Sequence, residues 1–355
     1  MALPPGKIPL EILKEVIFKN LGVKRNEVAL GPAAGVDGAV INVGSKSLIV
    51  SMDPITGALE RIGWLAVNVN ANDVSTFGVE PAFFFSCILL PEEANRRTVE
   101  TISSQMDMAA KGLRMAIVGG HCESTPGLTN TIVVGCAMGM AEEGNYVTAA
   151  GAKAGDKIII TKTAGIEGTA ILAADREEKL LKTVRSSTLK RAKEFFSMIS
   201  VAKEAAIAFK TGGVHAMHDP TEGGIAGGIH EVADASNLGF KIFEKRIPVA
   251  KETSEICEAF EIDPAYLIAS GSMLIAARKD VSDDIKKTLI KSGINASVVG
   301  EFLPSPEDRI VERKNGVETE LPRPTCDHLW VALAKRKAKK VILSQTHSGL
   351  LGKAC

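Results

Sequence analysis

No two of the six cysteines, Cys87, Cys122, Cys136, Cys257, Cys326 and Cys355, are spaced CxxC. That argues against a zinc ribbon and a redox dithiol, and a chain of 355 residues builds a core without a disulfide framework. Neither sign of charge is in excess, with 42 Lys and Arg against 42 Asp and Glu, so net charge points to no nucleic-acid partner. Aromatic residues are only 5% of the chain, against 33 glycines. That balance suits tight turns against small ligands better than base-stacking platforms. No run of about 18 apolar residues is present to span a bilayer. The opening Met-Ala-Leu-Pro-Pro-Gly-Lys lacks the long apolar core of a signal peptide, and no low-complexity segment indicates disorder. These absences leave a cytoplasmic globular protein with no membrane or nucleic-acid partner, long enough for two domains.

What is present is an alternation of periodic segments. A first amphipathic helix is predicted from Ile8 to Leu21, then strands from Ala39 to Val43 and Ser47 to Met52. A helix from Ile62 to Gly78 follows, then a strand from Ala82 to Leu90, apolar enough to need cover on both faces. A long helix from Pro91 through Lys111 and strands at Met115 to Val118 and Thr131 to Met138 complete a βαβ-like first domain. Gly144, Gly151 and Gly155 mark a linker or domain hinge over residues 141–156. Beyond it, strands are predicted at Lys157 to Thr161, up to Asp219, and at Phe240 to Ile242, Met273 to Ala277 and Ala296 to Phe302. Helices are expected at Ala170 to Ala174, Phe195 to Phe209, from Gly223, Thr253 to Phe260 and Val281 to Ser292, with a last hairpin around Gly316. The class is α/β (α+β): an N-terminal domain over 1–145, a C-terminal domain over 146–325, and a helix with a flexible tail over 326–355. Trp330 to Leu343 is predicted as a basic helix, either solvated or facing an acidic partner or membrane surface.

Chemistry-bearing residues fall at the ends of these elements. Ile62, Ala66, Val69 and Phe77 recur at helical spacing, and at about 100° per residue Asp73 falls inside that stripe. A core carboxylate is costly unless its charge is compensated; the alternative is a helix ending one turn early, with Asp73 as a cap or solvated. A Gly-rich turn with Gly35 and Gly38 delivers Asp37 to a strand, as a polyanion loop or as a plain hairpin. Asp53 stands at a strand end before Pro54 and Thr56, where a metal-binding carboxylate or a turn is at home. The next strand breaks at Gly119-Gly120-His121-Cys122-Glu123. In the second half, Asp219 and Thr221 suit capping of the helix after Gly223 and Gly224, whose amides also suit a phosphate. Acids and glycines at successive strand ends are the pattern of a site. His215, His218 and His230 lack an HExxH arrangement, so zinc is not expected.

The ordered set Gly35-x-Asp37-x-Ala39, Asp53, Ala71-Asn72-Asp73-Val74, Gly119-Gly120 with Glu123, and Asp219-x-Thr221-x-Gly223-Gly224 resembles the aminoimidazole ribonucleotide synthetase-like ATP-binding superfamily. The likeness covers nearly the whole chain and is greatest to the HypE branch, the hydrogenase expression/formation proteins. It implies a two-domain fold, and a homodimer whose N-terminal strands form a shared barrel with ATP near the interface. It implies Mg²⁺ on Asp37, Asp53 and Asp73. It also implies nucleotide contacts from Gly35, Thr56, Asn72, Gly119, Gly120, Asp219, Thr221, Gly223 and Gly224. His121 and Glu123 are implied in substrate contact or proton transfer, with Cys355 as an acceptor thiol. The implied activity is Mg-ATP-dependent phosphoryl transfer to a carbonyl or amide oxygen, possible within a hydrogenase-maturation complex. The alternatives are another member, of the aminoimidazole ribonucleotide synthetase or thiamine-monophosphate kinase type, or a non-catalytic nucleotide-binding scaffold. Three features depart from the HypE pattern: Gly-Lys-Ala precedes Cys355 in place of Pro-Arg-x, Leu321-Pro-Arg-Pro-Thr-Cys326 ends the shared domain, and Ser270 stands before Gly271 in place of an acid.

Overall fold

The structure, a computed structural model, describes residues 8, 10–33, 35–56 and 59–334. The first sheet contains β1 (Val28–Leu30), β2 (Ala39–Val43), β3 (Lys46–Ile55), β4 (Pro81–Leu90), β5 (Ala116–Ser124) and β6 (Ile132–Glu142). Their spatial order is β1-β2-β3-β6-β4-β5. Neighbours are antiparallel except β4 and β5, whose parallel pairing needs a crossover; helix Arg96–Gly112 supplies it. That helix starts after Asn95, not at Pro91, because Asn95 and Thr98 form a reciprocal capping box.

Helix Ile62–Thr76 packs on β3, β4 and β6 and touches helices Arg96–Gly112 and Ala202–Thr211. Enclosed by all of these, it is buried around its circumference instead of along one stripe: Asn68, Asn70, Asn72, Ser75 and Thr76 are buried together with Leu65 and Val67. Its polar side chains are spent on backbone. Asn72 Nδ2 donates to the Ile199 carbonyl at 2.8 Å, and its Oδ1 accepts from the Val201 N–H at 2.9 Å. Trp64 Nε1 donates to the Phe196 carbonyl at 2.8 Å. These bonds meet the chain where the helix expected over Phe195 to Phe209 is interrupted, as a 3-10 turn Glu194–Met198 followed by helix Ala202–Thr211.

The second sheet contains β7 (Lys157–Thr161), β8 (Val214–His218), β9 (Gly239–Phe243), β10 (Leu274–Ala277), β11 (Ala296–Leu303), β12 (Arg309–Glu312) and β13 (Glu318–Glu320). The order is β13-β12-β9-β11-β7-β10-β8, with the expected hairpin at β12–β13. Ile158 and Ile160 enter one apolar cluster and Ile159 another, so the central strand is covered on both faces. A further cluster runs from Val40 and Phe84 of the first sheet to Leu172, Phe196 and Leu267, joining the two halves through one core.

Other expectations shift. The first helix shrinks to Leu10–Ile12 with a π-helical turn Leu13–Ile17, and none of its residues is buried: the described residues cover its apolar side only in part. The strand at 81–90 alternates and leaves Phe85 exposed, so among the described residues one face is only partly covered. Residues 328–334 are helical, while the rest of the expected basic helix and Cys355 lie outside the described residues. Among the described residues no helix is long and apolar enough to cross a membrane.

Candidate active site

β3 does not stop at Met52. It continues through Asp53 and Pro54, with Asp53 opposite Gly135 of β6. β2 has already ended, with Ala39 opposite Val50, so Pro54 needs a ladder partner on one side only. Asn70 grips the Asp53 peptide: its Oδ1 accepts from the Asp53 N–H at 2.7 Å and its Nδ2 donates to the Asp53 carbonyl at 3.2 Å.

Asp73 lies within the helix and is 3% exposed, which removes the capping alternative. Ser51 Oγ donates to Asp73 Oδ2 at 2.6 Å and lies 2.8 Å from the Asp37 carbonyl oxygen. Burial first, then the charges of Asp219, Asp53 and Asp37, holds the Asp73 carboxyl well above the usual carboxylate range. The acids the sequence singled out in both halves therefore act on one position.

His218, at the end of β8, is a clasp. Its Nδ1 is 2.6 Å from Asp37 Oδ2 and its Nε2 is 2.9 Å from Glu231 Oε2 on helix Gly224–Ala235. Burial opposes the imidazolium, but the two carboxylates outweigh it and raise the pKa well above 6.5. Ligand atoms of Asp37, His218 and Asp219 lie within 4.8 Å of one another, but an imidazole donating from both nitrogens has no lone pair for a metal. The other histidines have structural partners: His215 pairs with Asp156, and His230 bonds the Leu321 carbonyl. Burial leads the causes that lower the His230 pKa to about 4.

The expected glycine roles change. Gly120 lies inside β5, not at a strand end, and a Cβ there would sit 2.1 Å from the Ser86 carbonyl oxygen of β4. Its smallness serves strand pairing. Gly224 has φ +61, and its Cβ would meet the Leu267 and Ala265 carbonyl oxygens at 2.6 and 2.7 Å. Gly223 is itself the N-cap, with no side-chain cap, so neither Asp219 nor Thr221 caps this helix. The Gly223 N–H donates to Asp327 Oδ2 at 2.6 Å, so a protein carboxylate takes the amide expected to face a phosphate. Gly35 packs against the Glu231 carbonyl, bringing the Asp37 loop onto that helix.

His121 and Glu123 also lie in β5, an edge strand exposed along its whole length, beside Gly119. The hydrogen-bond partners of Glu123 are His121 at 3.1 Å and Thr125 at 2.9 Å, not the acids around Asp73. Thr56 is exposed at the end of β3, and Thr221 is partly exposed. Asn72 has both ends of its amide on backbone. Ser51, Asn70, Glu231 and Asp327 were not singled out from the sequence. The alternation of Asn68, Asn70 and Asn72 through an apolar helix was the available signal for Asn70; the others carry none outside their contacts.

The donor set about Asp73 is all oxygen. Such a set suits a hard divalent cation, and packed carboxyls of like charge otherwise hold protons. Fold and site together define an α/β protein of two sheets with a carboxylate cluster assembled from both halves. The chain belongs to the AIR synthase related protein family, whose N-terminal domain matches residues 35–141 and C-terminal domain residues 153–312. A putative hydrogenase expression/formation protein of Methanocaldococcus jannaschii is 28% identical, over 86% of this chain and 91% of its own. Carbamoyl dehydratase HypE of Bradyrhizobium diazoefficiens is 25% identical, over 68% of this chain and 70% of its own. The fold is shared with HypE in a crystal structure of the HypE–HypF complex: TM-score 0.74, 23% identity, 88% of this chain and 99% of that one. It is shared too with HypE in complex with ATP: TM-score 0.70, 20% identity, 92% of this chain and 98% of that one.

Proposed function

We propose that this protein is a Mg-ATP-dependent enzyme of the HypE type, dehydrating a carbamoyl group after phosphoryl transfer to its oxygen, in hydrogenase maturation. The observation that carries this reading is the convergence of Asp37, Asp53 and Asp219 on the buried Asp73. The relatives named carbamoyl dehydratase supply the substrate class, and the ATP complex of HypE supports the nucleotide. Asp37, Asp53 and Asp73 are the proposed holders of Mg²⁺, which when bound offsets the charge of the triphosphate. The surrounding side chains set these carboxyls in advance: Ser51 orients Asp73, Asn70 holds the Asp53 peptide, and His218 holds Asp37. Asp219 completes the cluster from the second half, and Cys355 is the proposed carrier thiol. The division near residue 145 has support from the two family domains, which match on either side of it.

The test is ADP and nitrile formation from Mg-ATP and S-carbamoylcysteine amide, a probe that does not depend on Cys355. Nitrile appearing in step with ADP is the expected result. Nucleotide binding with no ADP formed would leave only a nucleotide-binding scaffold.

We read the β5 edge as a homodimer face. Ile117 and Val118 are exposed there beside Phe85, and an uncovered apolar edge strand is a template for pairing. A second copy against it would cover this face and give His121 and Glu123 new neighbours. The wild type is expected to sediment as a dimer and Val118→Asp as a folded monomer; a monomeric wild type sinks the assignment. The HypE–HypF structure supports a maturation protein as an additional partner.

A further inference from the structure

Glu167 lies in the first turn of helix Ile166–Asp175 and is 6% exposed. Among the described residues its Oε2 meets no hydrogen-bond partner of ordinary geometry, and neither does the hydroxyl of Ser270, which is 1% exposed. The Ser270 hydroxyl faces the carboxyl without closing a hydrogen bond of ordinary geometry. Buried polar groups left this way are costly, so their persistence calls for a further partner.

Several contacts hold the two groups in place. A Cβ on Gly168 would sit 2.4 Å from the Leu267 side chain, so this glycine lets the helix start press onto the segment carrying Ser270. The Gly168 N–H donates to the Ile268 carbonyl at 3.0 Å, and the Ala269 N–H to the Pro220 carbonyl at 3.2 Å. Lys162 Nζ donates to the Gly271 carbonyl at 2.8 Å. Ser270 is thus tied to the helix of Glu167 on one side and to the Asp219 loop on the other. The ionisable groups acting on Glu167 are Asp327, Glu222 and Asp53, all acids, and the last of them belongs to the carboxylate cluster.

We propose that Glu167 is the proton acceptor of the dehydration and that Ser270 positions the carbamoyl nitrogen against it. This rests on the dehydratase reading above. The carbamoyl oxygen attacks the γ-phosphorus of ATP and the bond to ADP breaks, while one N–H proton passes to the Glu167 carboxylate. The O-phosphoryl imidate, uncharged at nitrogen, then loses its C–O bond, the electron pair leaving with phosphate. The nitrogen lone pair closes the C≡N bond, and the second N–H proton goes to that phosphate. Nitrile, ADP and hydrogen phosphate result, and Glu167 returns its proton to solvent. Burial leads the causes that lift the Glu167 carboxyl to about 7, and Ser270 pulls the other way, so the group is poised for exchange near neutrality.

The experiment compares wild type, Glu167→Gln and Ser270→Ala as full chains with Mg-ATP and S-carbamoylcysteine amide across pH. The wild-type kcat should rise with pH through about 7. Glu167→Gln should lower kcat by about 100-fold or more and flatten that rise, with nucleotide affinity kept within about twofold. Ser270→Ala should move the rise to higher pH, a readout that does not depend on how the Gln variant folds. A Glu167→Gln enzyme with wild-type kcat, or with the pH rise intact, overturns the proposal alone. A wild type that binds Mg-ATP and forms no nitrile overturns the dehydratase reading, and this proposal with it.

Discussion

His218→Ala should destabilise the protein by about 3–5 kcal/mol at roughly pH 6, the scale of removing one partner from a buried charge pair. The imidazolium is 1% exposed and is held between Asp37 and Glu231. Truncation leaves two carboxylates facing a void. The pH dependence has a definite sign. The folded pKa lies above the ordinary 6.5, so the contribution of His218 is complete below 6.5 and is lost as pH rises through the folded value. Urea denaturation at a series of pH values should therefore show the gap between wild type and variant narrowing toward alkaline pH. An equal gap at every pH would mean that packing, not the ion pairs, sets the cost. Because His218 also holds the Asp37 loop against the second half, the variant should bind Mg-ATP more weakly at any pH.

Asp73→Asn should do opposite things to stability and to binding. The folded Asp73 holds its proton more tightly than an unfolded aspartate, through burial and then Asp219, Asp53 and Asp37. Above the ordinary 3.8 the unfolded chain releases that proton first, so the stability of the metal-free wild type declines as pH rises past this value. Asparagine has no proton to lose and still offers Ser51 an acceptor. The metal-free variant should accordingly melt above the wild type at neutral pH, by a margin that grows from about pH 4 upward. Its Mg-dependent affinity for ATP should fall by at least about 10–100-fold. Added Mg²⁺ should raise the wild-type melting temperature and leave the variant's nearly unmoved. Unchanged Mg-dependent binding in the variant would remove Asp73 from the cation site. Stability given up at a buried acid for the sake of binding is a familiar trade at functional sites.

Much of this arrangement was legible without coordinates. Spacing put Asp73 inside the apolar stripe of its helix, with a capping or solvated end as the alternative, and the order of acids and glycines identified the family. Element boundaries were less legible where the cause was tertiary. β5 runs through Gly119-Gly120 because β4 pairs with it as far as Ser124, and β3 absorbs Pro54 because β2 has already ended. The helix expected over Phe195 to Phe209 looked continuous because nothing in its own residues announces that Asn72 will bond at Ile199 and Val201.

By itself, then, the sequence determined periodicity, turn chemistry and the ordered acid motifs, all properties of residues near one another along the chain. Which groups face which was decided by the tertiary structure. Only folding places His218 between Asp37 and Glu231, gives the Gly223 amide to Asp327, and leaves Glu167 and Ser270 facing each other unsatisfied. The physical reason is that burial and long-range contact set both hydrogen-bond partnership and proton affinity, and neither is a property of a residue's sequence neighbours.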